Sequence, residues 1–376
     1  MRTFSYCIGL AALALTAVSC NDRLGMLTVI NSDGSCYREI SIPADSFLLT
    51  ASEDNIEEHV KGLMSDASWT KVWRVIGSEE NHAYPMTVGR YDSVMASFRV
   101  ADECITPRDS LVVCASRSFG SVAEMSAELP FTVDGRRISS SASLEKKFRW
   151  FRTDYTFNET FSGFGSRFSI PVSGFLEEDE VSFWLTGSPD LIGDFSGLEV
   201  KEMLDDIEER FWKWVNANIM SDAIGVIADN YDMVSGAPVD RDGFAAQKDS
   251  LLSFLVEYGY EIWPNDPENS LENGLDKFFR TNAFSKALGD YGDDTLSGLV
   301  ELDLHFYESL NSLQVDYSLL MPGDEEERHF VLSGPRMALN DYSISATSQV
   351  TNRWAYVLML LVAVTAVALT AAIKRR

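Results

Sequence analysis

Basic and aromatic side chains alternate in one short stretch of the chain, LEKKFRWFRTDYTFNETF at 144–161. The candidate contact residues in it are Lys146, Lys147, Arg149, Trp150 and Arg152. Aromatic faces stack on sugars and headgroups, and guanidinium groups bind phosphate through paired hydrogen bonds. The stretch predicts a surface for a glycan or a lipid headgroup. The stretch is predicted to form one long strand, with a bulge or bend near Trp150 where the inward face changes. The alternative to a ligand surface is that this strand is half-buried and its cations only face water.

Other patterns that carry chemistry are broken or missing. The histidines His59, His82, His305 and His329 have no zinc-ligand spacing, and phosphate-loop, nucleophile-elbow and dinucleotide motifs are absent. Ser-x-x-Lys occurs at 68–71 and at 143–146, but no Lys-Thr-Gly follows either copy. We therefore predict no catalytic residue, no metal site, no cofactor and no enzymatic activity.

The tetrapeptide Asp240-Arg241-Asp242-Gly243 is similar to part of a calcium loop. An EF-hand register would need an oxygen ligand where the chain has Pro238. Asp240 or Asp242 is therefore predicted to cap the start of a helix.

The segment Trp354–Ile373 has 20 residues without a charge. At about 1.5 Å per residue it matches a hydrocarbon core of about 30 Å, which predicts a membrane span over 353–373. Arg353, Trp354 and Tyr356 suit one membrane–water interface. The basic tail 374–376 is expected in the cytoplasm, which leaves the bulk of the chain outside it.

The first 19 residues are typical of a secretory signal, with Arg2 before an apolar run. Ala17 to Cys20, Ala-Val-Ser-Cys, resembles the lipobox of bacterial lipoproteins, which implies acylation at Cys20. Ordinary cleavage and an uncleaved anchor are the alternatives. The span is the stronger anchor, because a single acyl chain holds a protein marginally. If both anchors are used in one bilayer, the first and last strands are expected on the same membrane-facing side.

The net charge of −26 argues against nucleic acid as a partner and against electrostatic adhesion of the whole chain to anionic lipid. Beyond the signal and Cys20, the cysteines are Cys36, Cys104 and Cys114. A disulfide between Cys104 and Cys114 is allowed in an oxidising compartment, and burial as small apolar side chains is the alternative.

The order of patterns predicts an α+β fold. Alternating apolar residues predict strands in the first 190 residues and again after 311, whereas apolar stripes predict helices over 198–215, 244–258 and 271–288. A mixed N-terminal sheet is thus completed by C-terminal strands around an inserted helical block. The predicted segments are a signal peptide at 1–19, an ectodomain at 20–195, a helical insertion at 196–310, returning strands at 311–351, a transmembrane helix at 353–373 and a basic tail at 374–376.

The layout resembles bacterial envelope lipoproteins of the LppM type. The residues that carry the resemblance are Ala17 to Cys20, Asp33 to Ser35, Met321-Pro322-Gly323, Ser333-Gly334 and Ser343 to Ser348. The resemblance implies a membrane-tethered α+β module that contacts lipid, with no catalytic residues.

Together these patterns favour a non-enzymatic binding or scaffold protein of the bacterial envelope. It is expected to be single-pass in the inner membrane, with its ectodomain in the periplasm, and to bind an envelope protein, lipid or glycan. The alternatives are a lipid- or glycan-binding transfer module and an envelope hydrolase that works through carboxylates.

Overall fold

The computed structural model describes residues 24–43, 58–60, 62–63, 66–75, 83–85, 111–181, 197–262, 264, 266–289, 292, 294–324, 326–339 and 341–375. The chain folds as two compact units. The sheet unit comprises Asn21–Ser162, Gln314–Ser333 and Asp341–Arg376, and the helical unit comprises Gly163–Leu313 and Gly334–Asn340. Cys20 and Cys104 lie outside the described residues.

The strands of the sheet unit are β1 (Leu24–Ile30), β2 (Cys36–Pro43), β3 (Thr70–Val75), β4 (Ala83–Pro85), β5 (Leu111–Phe119), β6 (Thr132–Val133), β7 (Arg136–Arg137), β8 (Ser140–Arg149), β9 (Arg152–Phe161), β10 (Gln314–Leu320), β11 (Arg328–Ser333) and β12 (Tyr342–Thr351).

The α-helices are α1 (Val122–Ala127), α2 (Gly197–Asp229), α3 (Arg241–Ala245), α4 (Lys248–Glu257), α5 (Leu271–Phe279), α6 (Ala283–Leu288), α7 (Leu296–Ser312), α8 (Gly334–Met337) and α9 (Arg353–Lys374). Of these, α1 and α9 belong to the sheet unit.

The main sheet joins the beginning of the chain to its late part. Among the described residues its strand order is β11-β10-β1-β2-β5-β3-β4, and β1 pairs parallel with β10 from Leu24↔Val315 to Val29↔Leu320. Alternate residues of β1 are buried, as the period of two requires for a strand with one face on a core. The predicted α+β class is confirmed, with a mixed sheet completed by late strands around a helical block and one apolar helix at the C-terminal end.

A second sheet of the described chain has the order β12-β9-β8. The prediction of one long strand over 144–161 is wrong, because β8 and β9 form a tight hairpin in which Arg149 pairs with Arg152. The change of inward face near Trp150 therefore marks a two-residue turn and not a bulge. Trp150 takes a positive φ of 22°, which a bulky residue rarely adopts, and neither turn residue is Gly or Asn.

Two contacts between these sheets fix the relative direction of their strands. Arg38, which bonds Thr28 of β1, also bonds Glu159 of β9. Further along, the hydroxyl of Tyr155 in β9 donates to the carbonyl of Ser32, just after β1, at 3.2 Å. Going four residues forward from Thr28 to Ser32 therefore corresponds to going four residues backward from Glu159 to Tyr155. Strands β1 and β9 thus run in opposite directions.

β12 pairs antiparallel with β9, with Glu159 opposite Ile344 and Tyr155 opposite Ser348, so β12 runs in the same direction as β1. The beginning of β1 therefore lies at the end of the unit opposite the start of α9. About 12 residues of extended strand, or about 40 Å along the strand direction, separate the beginning of β1 from the start of α9. The expectation that the first and last strands emerge on one side is wrong, because both run the same way.

The helical unit is built around aromatic side chains. Trp214 of α2 stacks on Phe168 at 4.6 Å between ring centroids, and Phe164 meets Phe306 of α7 edge-on at 5.6 Å.

The predicted helix cap at the start of α3 is confirmed, because Asp240 accepts from the backbone N–H of Gly243 at 2.8 Å.

The helix predicted over 271–288 is two helices, α5 and α6. Arg280 ends α5 in the left-handed conformation with φ 55°. Asp276 then accepts from the backbone N–H groups of Phe284 and Ser285, which fixes the start of the second helix. A carboxylate near a helix N-terminus stabilises it both as an acceptor and through the helix dipole.

Candidate membrane-interface site

The hairpin of β8 and β9 brings the predicted contact residues to one end of the sheet unit. We call Phe148–Arg152 the hairpin tip. Arg149, Trp150 and Arg152 lie within it, and all three are exposed. Lys147 is exposed one register position back, opposite Asp154. Lys146 belongs to a different neighbourhood, because its ammonium lies 5.9 Å from the ring centroid of Tyr155 and beside the turn that joins β1 to β2.

The tip is fastened to the residue that precedes α9. The backbone N–H of Asn352 donates to the carbonyl of Phe151 at 2.8 Å, and its side-chain Nδ2 donates to the carbonyl of Trp150 at 3.0 Å. Thr153 Oγ1 in turn donates to Asn352 Oδ1 at 3.1 Å. The side chain of Asn352, which stands at the N-cap position of α9, holds the hairpin turn and makes no cap bond. Sequence patterns gave no signal for this role.

Five aromatic rings lie across the junction, as a group of three and a pair. Trp354 lies parallel to Phe148, with the ring planes 6° apart and centroids at 6.1 Å, and meets Trp150 edge-on at 5.6 Å. Tyr356 contacts Phe151 at 5.0 Å. The least exposed of these rings, Phe151, is still 38% exposed. Large half-exposed aromatic side chains are typical of the membrane–water interface, where one side of the ring is apolar and the other is wet.

The helix that follows is long and apolar enough to cross a membrane, and it is the one such helix in the described part of the chain. Its 22 residues would extend about 33 Å. Its apolar side chains are exposed along its length, and only Ala355 is buried. A core helix of a soluble protein would have those side chains covered. The aromatic rings thus lie at the first turn of the candidate span.

The cations at the tip share one carboxylate. Arg149 Nε donates to Asp154 Oδ2, and Arg152 Nε lies 3.0 Å from Asp154 Oδ1. About half of each arginine side chain is exposed, at 51% and 48%. Such exposed pairs contribute at most about 1 kcal/mol to stability, but they hold both guanidinium groups side by side.

A second polar cluster is buried between the sheets. Arg38 Nη2 bonds both carboxylate oxygens of Glu159, at 3.0 and 2.8 Å, and the hydroxyl of Tyr317 donates to Glu159 at 2.8 Å. Arg38 and Glu159 are fully buried. Burial opposes the charge on Arg38, but Glu159 and Tyr317 together more than offset it, and the pKa of Arg38 is raised. A cluster closed to solvent cannot meet a substrate, so its role is to join the sheets.

The helical unit has a partly buried carboxyl group. Burial raises the pKa of Asp222, against a hydrogen bond of 2.6 Å from the Tyr307 hydroxyl and the more distant charge of Arg167. Among the described residues, no group of three or more His, Cys, Asp or Glu side chains is arranged to hold a metal ion.

Cys36 and Cys114 are free thiols in the structure, and both are buried. Burial is the main cause that raises the pKa of each to about 11.

Comparison of the chain with family models, with curated proteins and with solved structures finds no match.

Proposed function

We propose that the chain is a non-enzymatic binding or scaffold module of the bacterial envelope, anchored by α9 and seated on the bilayer by the hairpin tip. The observation that carries the proposal is the bond between the tip and the residue before the span. Because Asn352 ties the turn to the start of α9, the aromatic rings of the tip are at the depth of Trp354 and Tyr356. A module held in this way presents the rest of its surface to a partner close to the membrane.

The seating is tested by photo-crosslinking from two positions on the same strand. A photoreactive residue replaces Phe148 at the tip or Ser141 at the other end of β8, about 24 Å away. Both side chains are exposed. With Cys20 changed to Ala, so that no lipid holds the other end of the strands, we expect the residue at 148 to crosslink to phospholipid in native membranes and the residue at 141 to crosslink to lipid far less. Equal lipid crosslinking from both would contradict seating by the tip.

The proposed orientation follows the positive-inside bias, with the tail 374–376 in the cytoplasm and the sheet unit in the periplasm. A reporter that works only in the cytoplasm should be active when it is fused after Arg376, and a reporter that works only after export should be inactive there. An exported reporter would refute the orientation.

The resemblance to LppM-type lipoproteins and the acylation of Cys20 belong to the same proposal. Replacement of Cys20 by Ala should abolish fatty-acid labelling, whereas Cys36→Ala should leave it unchanged. The geometry sets a condition on a lipid at Cys20. Leu24, the first residue of β1, is about 40 Å from the start of α9, and the four residues from Cys20 to Leu24 reach at most about 14 Å, so both anchors meet one bilayer only if the strands lie along its surface.

The partner is to be found by crosslinking in cells from the helical unit. A photoreactive residue at Leu302 suits this, because that side chain is 73% exposed on α7. A single envelope protein captured there would support a scaffold, and a glycan or lipid would support the transfer module.

A further inference from the structure

We propose that the hairpin tip binds the phosphate of anionic phospholipid headgroups in the bilayer that α9 crosses. The inference rests on the proposed function, because the tip meets a headgroup only if it is seated on the membrane. It goes further in naming the ligand of the site.

The local charge at the tip is opposite to that of the chain. The segment 147–154 has three cations and one carboxylate, a charge of +2 within a chain of −26, and Arg353 adds another cation at the junction. Charges are screened beyond about 8–10 Å at physiological salt, so a headgroup at the tip responds to these nearby cations more than to the distant acids. The negative net charge argues against adhesion of the whole chain to anionic lipid. It does not prevent the hairpin tip from attracting an anionic headgroup.

The arginines at the tip are arranged for a phosphate. Arg149 and Arg152 are held next to each other by Asp154 through their Nε atoms. The contact uses one nitrogen of each guanidinium, and about half of each side chain is exposed. Guanidinium groups bind phosphate oxygens in a fork that lysine does not supply. Because the two guanidinium groups are already held side by side, they lose little conformational entropy when they bind a phosphate.

The surroundings favour a membrane lipid over a soluble anion. The arginines flank Trp150, which contacts Trp354 in the first turn of α9. Aromatic belts lie at the level of the headgroups, so the guanidinium groups beside Trp150 are at the depth of the phosphates. Arginine stems can also lie along the apolar rings while their charged ends reach the headgroup.

The test uses the full chain in nanodiscs of phosphatidylcholine with a minority of phosphatidylglycerol. Spin-labelled versions of the two lipids report the relative association of each with the protein. We expect the wild type to prefer phosphatidylglycerol. Arg149→Gln with Arg152→Gln removes two positive charges while Asp154 stays in both proteins, so it should lower that preference by about thirtyfold, the factor that corresponds to about 2 kcal/mol for two cations near an anionic surface.

Two further sets of substitutions serve as controls. Lys374→Gln with Arg375→Gln and Arg376→Gln removes the basic tail, and the difference between wild type and the Arg149/Arg152 variant should persist in that background. Arg149→Lys with Arg152→Lys keeps the charge without the forks, and should lie between wild type and the glutamine variant. An unchanged preference in the glutamine variant overturns the inference.

Failure of this inference can be told from failure of the proposed function. If the photoreactive residue at 148 still crosslinks to lipid while the glutamine variant keeps the wild-type preference, the tip is seated but does not select the headgroup. If position 148 does not reach lipid at all, seating itself is refuted and the headgroup site with it.

Discussion

The side-chain amide of Asn352 donates to the carbonyl oxygen of Trp150 at 3.0 Å, across 202 positions of the chain. Trp150 has the positive φ of the turn, a conformation that its bulky side chain disfavours and that must be held by its surroundings. Helix α9 and the hairpin thus stabilise each other at this junction.

Asn352→Ala removes both side-chain hydrogen bonds and should loosen the tip without unfolding the sheet unit. The expected loss is about 1–2 kcal/mol in local stability. Trypsin cleavage after Arg149 and Arg152 in detergent-solubilised protein should accelerate about tenfold, the factor that 1.4 kcal/mol gives. Asn273→Ala is the matched control, because Asn273 also donates from an exposed side chain to a carbonyl, that of Pro267. Equal cleavage rates at the tip in all three proteins would contradict the role of Asn352.

The buried pair of Arg38 and Glu159 should behave as a unit. Glu159→Gln leaves a buried, uncompensated guanidinium and should destabilise the sheet unit by about 3–5 kcal/mol. Arg38→Met with Glu159→Leu should cost much less, because no charge is left buried. Alkylation of Cys36 as a function of urea concentration reports unfolding of this unit. A double variant as unstable as the sum of its singles would show that the charges act independently.

Asp222 should make the helical unit less stable as pH rises. Its pKa is raised above the usual 3.8, so between 3.8 and the folded-state pKa the folded form holds a proton that the unfolded form has lost. Stability therefore falls with rising pH through that window and is level above it. Asp222→Asn should flatten this part of the pH profile and unfold at a higher temperature at pH 7. Asp229→Asn, at an 86% exposed carboxylate of the same helix, is the control, and an unchanged profile for Asp222→Asn would refute the assignment.

Sequence patterns predicted the fold class because strand alternation and helical stripes are local properties. They also singled out Arg149, Trp150 and Arg152, since interleaved cations and rings are visible in the chain. They failed at the turn, because Trp150 and Phe151 are not turn-forming residues and are held there by Asn352, far along the chain. Pairings such as Trp354 on Phe148 are likewise tertiary and leave no local trace. The direction of β1 relative to β12 depends on contacts between two sheets, which no periodicity encodes.

Cys36 and Cys114 should resist alkylation in the folded protein. Each is buried, and a pKa of about 11 leaves little thiolate at pH 7.5. Peptide mass spectrometry after a short iodoacetamide treatment should find both unmodified, and both modified after the protein is unfolded in urea. Rapid modification of Cys114 in the native state would mean that strand β5 opens readily.

The position of the two anchors can be read from the height of the sheet unit above the membrane. With Cys104 replaced by Ser, a dye on a cysteine introduced at Asp33 marks the end near the tip, and a dye at Ser41, which pairs with Gly25, marks the end near Cys20. If a lipid on Cys20 enters the bilayer that α9 crosses, the strands lie along its surface and both dyes transfer energy to membrane acceptors. Cys20→Ala should then release the second end, so transfer from position 41 falls while transfer from position 33 is retained, because Asn352 still holds the tip at the span. Unchanged transfer from position 41 on loss of Cys20 would mean that α9 alone anchors the protein in this membrane.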